Sequence, residues 1–103
     1  MSTQQVLDWL QTNEEQSIER FMDWLRIPSV GTDSKHDADT ANAADWAADH
    51  LKASGFSVEI KPTGTAEDPG QPIVLATSPG DADYTGPHVL FYGHYDVQPA
   101  DPI

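Results

Sequence analysis

Residues 37–61 read DADTANAADWAADHLKASGFSVEIK, and the pattern changes from helical to extended at Gly55. From about Asp39 onward, apolar residues recur at intervals of three and four, which predicts a helix with one buried face. Glycine just after the last periodic residue suits a left-handed helix stop. The predicted face is mostly alanine, so we expect this helix to lie close against a flat sheet, with Trp46 covering a flank. The members of the face are Ala44, Ala47, Ala48 and Leu51.

After Gly55 the sequence predicts strands. Residues 56–60 alternate between apolar and polar side chains, which is typical of a strand with one wet side. Two apolar runs follow, at Ile73–Ala76 and Val89–Tyr92. The links between the runs hold about ten residues each and no helical pattern, too short for a parallel crossover. We therefore predict an antiparallel up-down-up ribbon, and the third run, which does not alternate, is predicted to be buried on both faces.

The chain upstream of residue 37 predicts further helix and then a loop. Apolar residues at helical spacing indicate an amphipathic helix over residues 3–26, with a break near Thr12 and Asn13 and an end before Pro28. Residues 28–36 are polar and rich in turn-forming residues. The order of elements indicates an α/β fold in which amino-terminal helices pack on a partial sheet.

Composition excludes several classes of function. The 103 residues include 17 acidic and 5 basic ones, a formal charge of −12, which would repel a nucleic-acid backbone. Because cysteine is absent, any metal site must use imidazole and carboxylate. No apolar run approaches the roughly 18 residues of a membrane span. No targeting signal is visible either, so we expect a cytoplasmic protein without a membrane partner.

The third apolar run leads directly into His94, Tyr95 and Asp96. Ligand sites in α/β sheets tend to lie where a strand ends. In extended backbone, side chains two residues apart project to the same side, so His94 and Asp96 are expected to lie together. The carboxylate can then orient the imidazole or support a bound metal, whereas Tyr95 points the other way and is predicted to pack. The alternative is a hydrogen-bonded histidine with a purely structural role.

Three segments carry a wider resemblance. They are FMDWLRIPSV at residues 21–30, ADWAADHLKASGF at residues 44–56 and GHYDVQPADP at residues 93–102. In this order they resemble the opening helix and turn, the helix before the first strand, and the first metal-binding motif of a dizinc metallopeptidase family. That family comprises the aminoacylases, carnosinases and glutamate carboxypeptidases, and the likeness is to its dipeptidase branch in particular.

This resemblance implies roles for two side chains. His94 matches a zinc ligand, and Asp96 matches the catalytic acidic residue that braces that histidine. The implied cofactor is a pair of zinc ions in each intact active site, with manganese or cobalt as other metals of the family. The implied reaction is metal-dependent hydrolysis of the amide bond of a small peptide or an N-acyl amino acid.

The family's other ligands and its general base find no match in this sequence. The resemblance therefore implies that residues 1–103 are the amino-terminal portion of a single catalytic domain, a fragment of a three-layer, zinc-exopeptidase-like fold. The rest of that domain and the dimerisation domain are expected to be absent, and the intact enzyme is expected to be a homodimer. We expect the chain alone to bind zinc weakly and to be inactive.

A hypothesis of a different class is a stand-alone acidic interaction module without catalysis. Unpaired strand edges would then lead to self-association or to pairing with a complementary chain. A calcium site is disfavoured, because residues 81–86 resemble the start of a calcium loop but Tyr92 replaces the glutamate required at position twelve. The other histidines are predicted to be solvated or structural; they are His36, His50 and His88.

Overall fold

The computed structural model describes residues 1–101, and these form three α-helices, one 3-10 turn and a two-stranded antiparallel sheet. The α/β class is thereby confirmed. The elements are α1 (Thr3–Thr12), α2 (Glu14–Leu25), the 3-10 turn (Ser34–His36), α3 (Asp37–Ala53), β1 (Ser57–Lys61) and β2 (Ile73–Thr77). Pro102, the last residue of the metal-binding motif, and Ile103 lie outside the described residues. No helix within residues 1–101 combines the length and the apolar character needed to cross a membrane.

The predicted break in the amino-terminal helix lies at Asn13. Ser2 caps α1, since its hydroxyl accepts from the Gln5 amide while the Gln5 side chain accepts from the Ser2 amide. Asn13 closes α1 by donating its amide to the Trp9 carbonyl, and two glutamates occupy the first turn of α2. Because α1 buries none of its residues, local capping contributes much of what holds it helical.

Helix α3 packs on both strands of the sheet. Its buried side chains are small, which allows the close approach predicted for an alanine face. They are Thr40, Ala43, Ala44 and Ala48, each 1% exposed or less. The Thr40 hydroxyl donates to the His36 carbonyl at 2.9 Å, so this buried polar group is satisfied. The helix ends as predicted, with Gly55 at φ +96°.

An aromatic stack joins α2 to α3. Trp46 covers the flank of α3 and stacks on Trp24, with ring centroids 5.4 Å apart and an interplanar angle of 11°. Its other neighbour is His50, also at 5.4 Å. The Trp24 indole N–H donates to the Ala43 carbonyl at 3.2 Å, so α2 is tied to the backbone of α3 as well.

The hairpin confirms the antiparallel prediction for the first two strands. Ser57 pairs with Thr77 and Lys61 pairs with Ile73. Within the loop that links the two strands, an antiparallel backbone bridge joins Gly64 to Pro69. Gly64 has φ +74°, and a Cβ there would lie 2.3 Å from the Asp68 carbonyl oxygen, so only glycine fits this turn.

The prediction of a third, doubly buried strand is wrong. Within the described chain, Val89–Tyr92 belongs to no strand, and its side chains are between 74% and 91% exposed. An apolar run becomes a buried strand only where other strands pair with its backbone and other layers cover its faces. In the part of the chain that the structure describes, β2 pairs with β1 alone. The up-down-up ribbon is therefore an up-down hairpin, covered by α3.

Candidate metal-ligand pair

His94 and Asp96 lie in contact, as their spacing predicts. The His94 Nδ1 atom is 3.0 Å from Asp96 Oδ1 and 3.0 Å from the Asp96 carbonyl oxygen. Both oxygens can only accept, so Nδ1 carries the proton and donates to them. The side chains are 72% and 41% exposed, respectively, so solvent and solutes reach both groups.

This geometry prepares the imidazole for a cation. With Nδ1–H engaged by a carboxylate, the lone pair is on Nε2, and the carboxylate increases the basicity of the ring. Zinc in proteins usually has four ligands. Among residues 1–101, no cluster of three or more His, Cys, Asp or Glu side chains is placed to hold a metal ion. The pair therefore fits one part of a metal centre and supplies at most two of its ligands.

The loop at residues 29–31 holds the backbone around Asp96. The Ser29 hydroxyl donates to the Tyr95 carbonyl at 3.0 Å, and the Val97 amide donates to the Ser29 carbonyl at 2.9 Å. A parallel bridge between Val30 and Val97 extends this contact. Sequence reasoning predicted only a polar loop here and missed the contact, because it joins residues 66 positions apart and leaves no periodic signal.

Gly31 completes that contact by leaving room for the carboxylate. A Cβ at this position would lie 2.9 Å from Asp96 Oδ2 and 3.2 Å from Asp96 Cβ. The backbone of Gly31 has no positive φ, so the requirement for glycine is one of space. The loop and the carboxylate are in direct van der Waals contact.

Tyr95 anchors the segment that carries the pair to the start of β2. Its hydroxyl donates to the Pro72 carbonyl just before β2, and the ring is half-buried, which confirms the predicted packing role. Burial raises the pKa of Tyr95, and the negative charge of Asp96 raises it further. The phenol is thus held in its neutral, hydrogen-bonding form.

A groove of about 700 Å³ runs between β2 and residues 91–96. Its walls are largely apolar, and His94 and Asp96 lie along it. The apolar walls include Trp24, Leu51, Ile73, Leu75 and Phe91. The pair is therefore open to solvent on an otherwise apolar edge of the molecule.

The other histidines occupy local contacts. His36 was predicted to be solvated, but it is half-buried and its Nδ1 lies 2.8 Å from Asp39 Oδ2 at the start of α3. His88 meets the edge of the Tyr84 ring at 6.5 Å. In the segment that resembles a calcium loop, the Tyr84 amide donates to the Asp81 carbonyl at 3.0 Å, which closes a turn.

The chain is homologous to a metallodipeptidase, which confirms the family resemblance of its motifs. It is 37% identical over 106 residues to the Cys-Gly metallodipeptidase DUG1 of Candida albicans. The alignment covers 94% of this chain and 21% of that relative, so the chain spans about a fifth of the relative's length. No protein-family model matches the chain, and no solved structure matches it.

Proposed function

We propose that this chain supplies the first metal-binding element of a metal-dependent dipeptidase or related amidohydrolase. The observation that carries the proposal is the 3.0 Å contact between His94 and Asp96, in a chain 37% identical to a metallodipeptidase. The relative is named for Cys-Gly, and we extend to this chain only the class of substrate, a small peptide or N-acyl amino acid.

In this proposal the two residues have different tasks. His94 ligates a metal through Nε2, and Asp96 fixes the ring and its tautomer through the hydrogen bond at Nδ1. His94 would hold one metal of a pair of zinc ions, or of manganese or cobalt, and that pair would supply the Lewis-acid chemistry for polarising a carbonyl and activating water. Because Asp96 accepts a hydrogen bond from Nδ1, Nε2 is the nitrogen of the neutral ring whose lone pair is available to a metal.

The chain by itself provides too few ligands for this reaction. In this proposal only His94 of the pair binds the metal, and one donor out of the usual four predicts weak zinc binding and no hydrolysis. We propose that residues 1–103 act as the amino-terminal portion of one catalytic domain. The remaining ligands, the general base and a dimerisation domain would come from further sequence, in a cytoplasmic homodimer.

Zinc titration of the purified chain, followed by calorimetry, tests this proposal. We expect His94→Ala to weaken zinc binding at least tenfold, because it removes the only nitrogen ligand of the pair. His36→Ala is the matched control: it removes an imidazole that also contacts a carboxylate, and should leave zinc binding unchanged. Equal zinc affinity of the wild type and His94→Ala would contradict the metal-ligand role of His94. Rapid hydrolysis of Cys-Gly by the chain alone would contradict the proposal that the chain has too few ligands for catalysis.

A second candidate function, self-association without catalysis, is favoured by the exposed segment. Residues 84–95 contain no acidic residue in a chain of charge −12, and Val89–Tyr92 is between 74% and 91% exposed. Val89–Tyr92 is thus an exposed apolar run, and β2 has a second edge with no strand paired to it among the described residues. We propose a second copy of the chain as the occupant, paired through strand edges.

A further inference from the structure

We propose that Ser29 and Gly31 are positioning residues for the metal-ligand pair: they fix the Asp96 carboxylate, and the carboxylate fixes the His94 ring. This inference rests on the proposed function for the role of the pair, but its contacts do not depend on a metal. Neither residue was among the candidates that the sequence pointed to.

Ser29 fixes the backbone on both sides of Asp96. Its side chain is 1% exposed, and its hydroxyl donates to the Tyr95 carbonyl at 3.0 Å. Its own carbonyl accepts from the Val97 amide at 2.9 Å. The two hydrogen bonds flank Asp96, so a single buried residue holds the backbone on both sides of it. Removal of the Ser29 hydroxyl would take this partner away from the Tyr95 carbonyl.

Gly31 limits where the carboxylate can lie. A methyl group at this position would be 2.9 Å from Asp96 Oδ2, closer than real Cβ contacts are found. The other carboxylate oxygen, Oδ1, accepts from His94 Nδ1 at 3.0 Å. Oδ1 and Oδ2 belong to one rigid carboxylate, so we expect a displacement of Oδ2 by the methyl group to change the contact between Oδ1 and the His94 ring.

The effect expected on metal binding follows from this linkage. Removing a partner that orients a ligating histidine typically weakens metal affinity by about 10–100-fold. We expect Gly31→Ala to weaken zinc binding about tenfold. Ser29→Ala should have a similar or smaller effect, because it leaves the backbone hydrogen bond to Val97 in place.

Gly93→Ala is the matched control for Gly31→Ala. It adds the same methyl group next to His94, but a Cβ there meets nothing within 4 Å, and the residue has no positive φ. We expect this variant to bind zinc like the wild type. A double-mutant cycle with Asp96→Ala separates positioning from general destabilisation. If Gly31 acts through the carboxylate, Gly31→Ala should have almost no further effect on zinc binding once the carboxylate is gone.

A measurement without metal distinguishes failure of this inference from failure of the proposed function. The Hα–Hβ couplings of Asp96, measured by NMR, should show one rotamer in the wild type and in Gly93→Ala, and averaging in Gly31→Ala. Unchanged couplings in Gly31→Ala would overturn the positioning role, regardless of the effect of that variant on zinc binding. If the couplings average in Gly31→Ala while His94→Ala binds zinc normally, the positioning role stands and the metal-ligand role fails.

Discussion

Two neighbouring regions of this molecule differ sharply in burial and in hydrogen bonding. Residues 95–97 are joined to the loop at residues 29–31 by hydrogen bonds and a backbone bridge, and α3 buries its alanine face on the sheet nearby. Residues 89–92, separated from them by Gly93 and His94, are more apolar and yet 74% to 91% exposed. The geometry of the metal-ligand pair is therefore set by a loop distant in sequence, and not by the segment that leads into it.

The difference shows what an apolar sequence needs in order to become a strand. Val, Leu, Phe and Tyr all favour extended structure, but this preference reflects packing and pairing more than the backbone of the residue itself. Residues 95–97 find backbone partners at Ser29, and residues 89–92 find none within the described chain. Three predictions test this contrast through the free energy of unfolding.

The largest effect on the free energy of unfolding is expected from Ala44→Asp, on the buried face of α3. Ala44 is 0% exposed on α3, and a buried, unpaired carboxylate there should cost more than about 3 kcal/mol and unfold the chain. Ala38→Asp places the same charge at an exposed position in the first turn of α3, where the helix dipole favours it. Urea denaturation followed by circular dichroism compares the two variants. Similar unfolding midpoints for both would show that the alanine face does not hold α3 to the sheet.

Tyr95→Phe should lower the free energy of unfolding by a moderate amount. It removes the hydrogen bond to the Pro72 carbonyl and should cost about 1 kcal/mol at neutral pH. The pKa of Tyr95 is raised above its ordinary value of 10.0 in the folded chain. The neutral phenol therefore stabilises the fold fully at pH values below 10.0, and this stabilisation is lost as the pH rises through the raised pKa. The stability difference between wild type and Tyr95→Phe should therefore shrink in strongly alkaline solution.

Tyr92→Phe is the control for that measurement. Tyr92 is 91% exposed, so removal of its hydroxyl should leave the unfolding midpoint unchanged at every pH. A pH-independent difference between wild type and Tyr95→Phe would mean that ionisation of Tyr95 does not weaken the fold.

The smallest effect on stability is expected from Leu90→Lys, in the exposed segment. A side chain that is 91% exposed contributes little to folding, so the change should stay within about 0.5 kcal/mol. Its effect on self-association should be much larger, because a lysine in this exposed apolar run opposes pairing with a second copy of the chain. Sedimentation velocity should show wild-type dimers that strengthen with salt, which screens the repulsion between chains of charge −12, and monomers for Leu90→Lys. A wild-type chain that stays monomeric at high salt would rule out the second candidate function.

Those parts of the fold that depend on local signals could be predicted from the sequence. The helical spacing of apolar residues gave α1, α2 and α3, and Gly55 marked the end of α3. The short link and the alternation in β1 were sufficient to predict the antiparallel hairpin. Val89–Tyr92 was predicted wrongly, because burial on both faces depends on other segments of chain and not on the run itself.

The candidate site shows the same division between local and distant signals. The contact between His94 and Asp96 follows from a spacing of two residues, and it was predicted. The contribution of Ser29 and Gly31 could not be predicted, since nothing in a polar loop shows which carbonyl or carboxylate it will meet 66 residues later. The motif at residues 21–30 marked the segment as a family feature without indicating its contact with the pair.

The paired indoles of α2 and α3 also have an optical consequence. Trp24 and Trp46 lie face to face at 5.4 Å, so their electronic transitions couple, and the pair should give a split band of opposite signs in circular dichroism. Trp9, on α1, is 51% exposed and outside this pair. The amplitude of that couplet reports directly whether α2 is seated on α3, so docking of the two helices can be followed in real time without any added label.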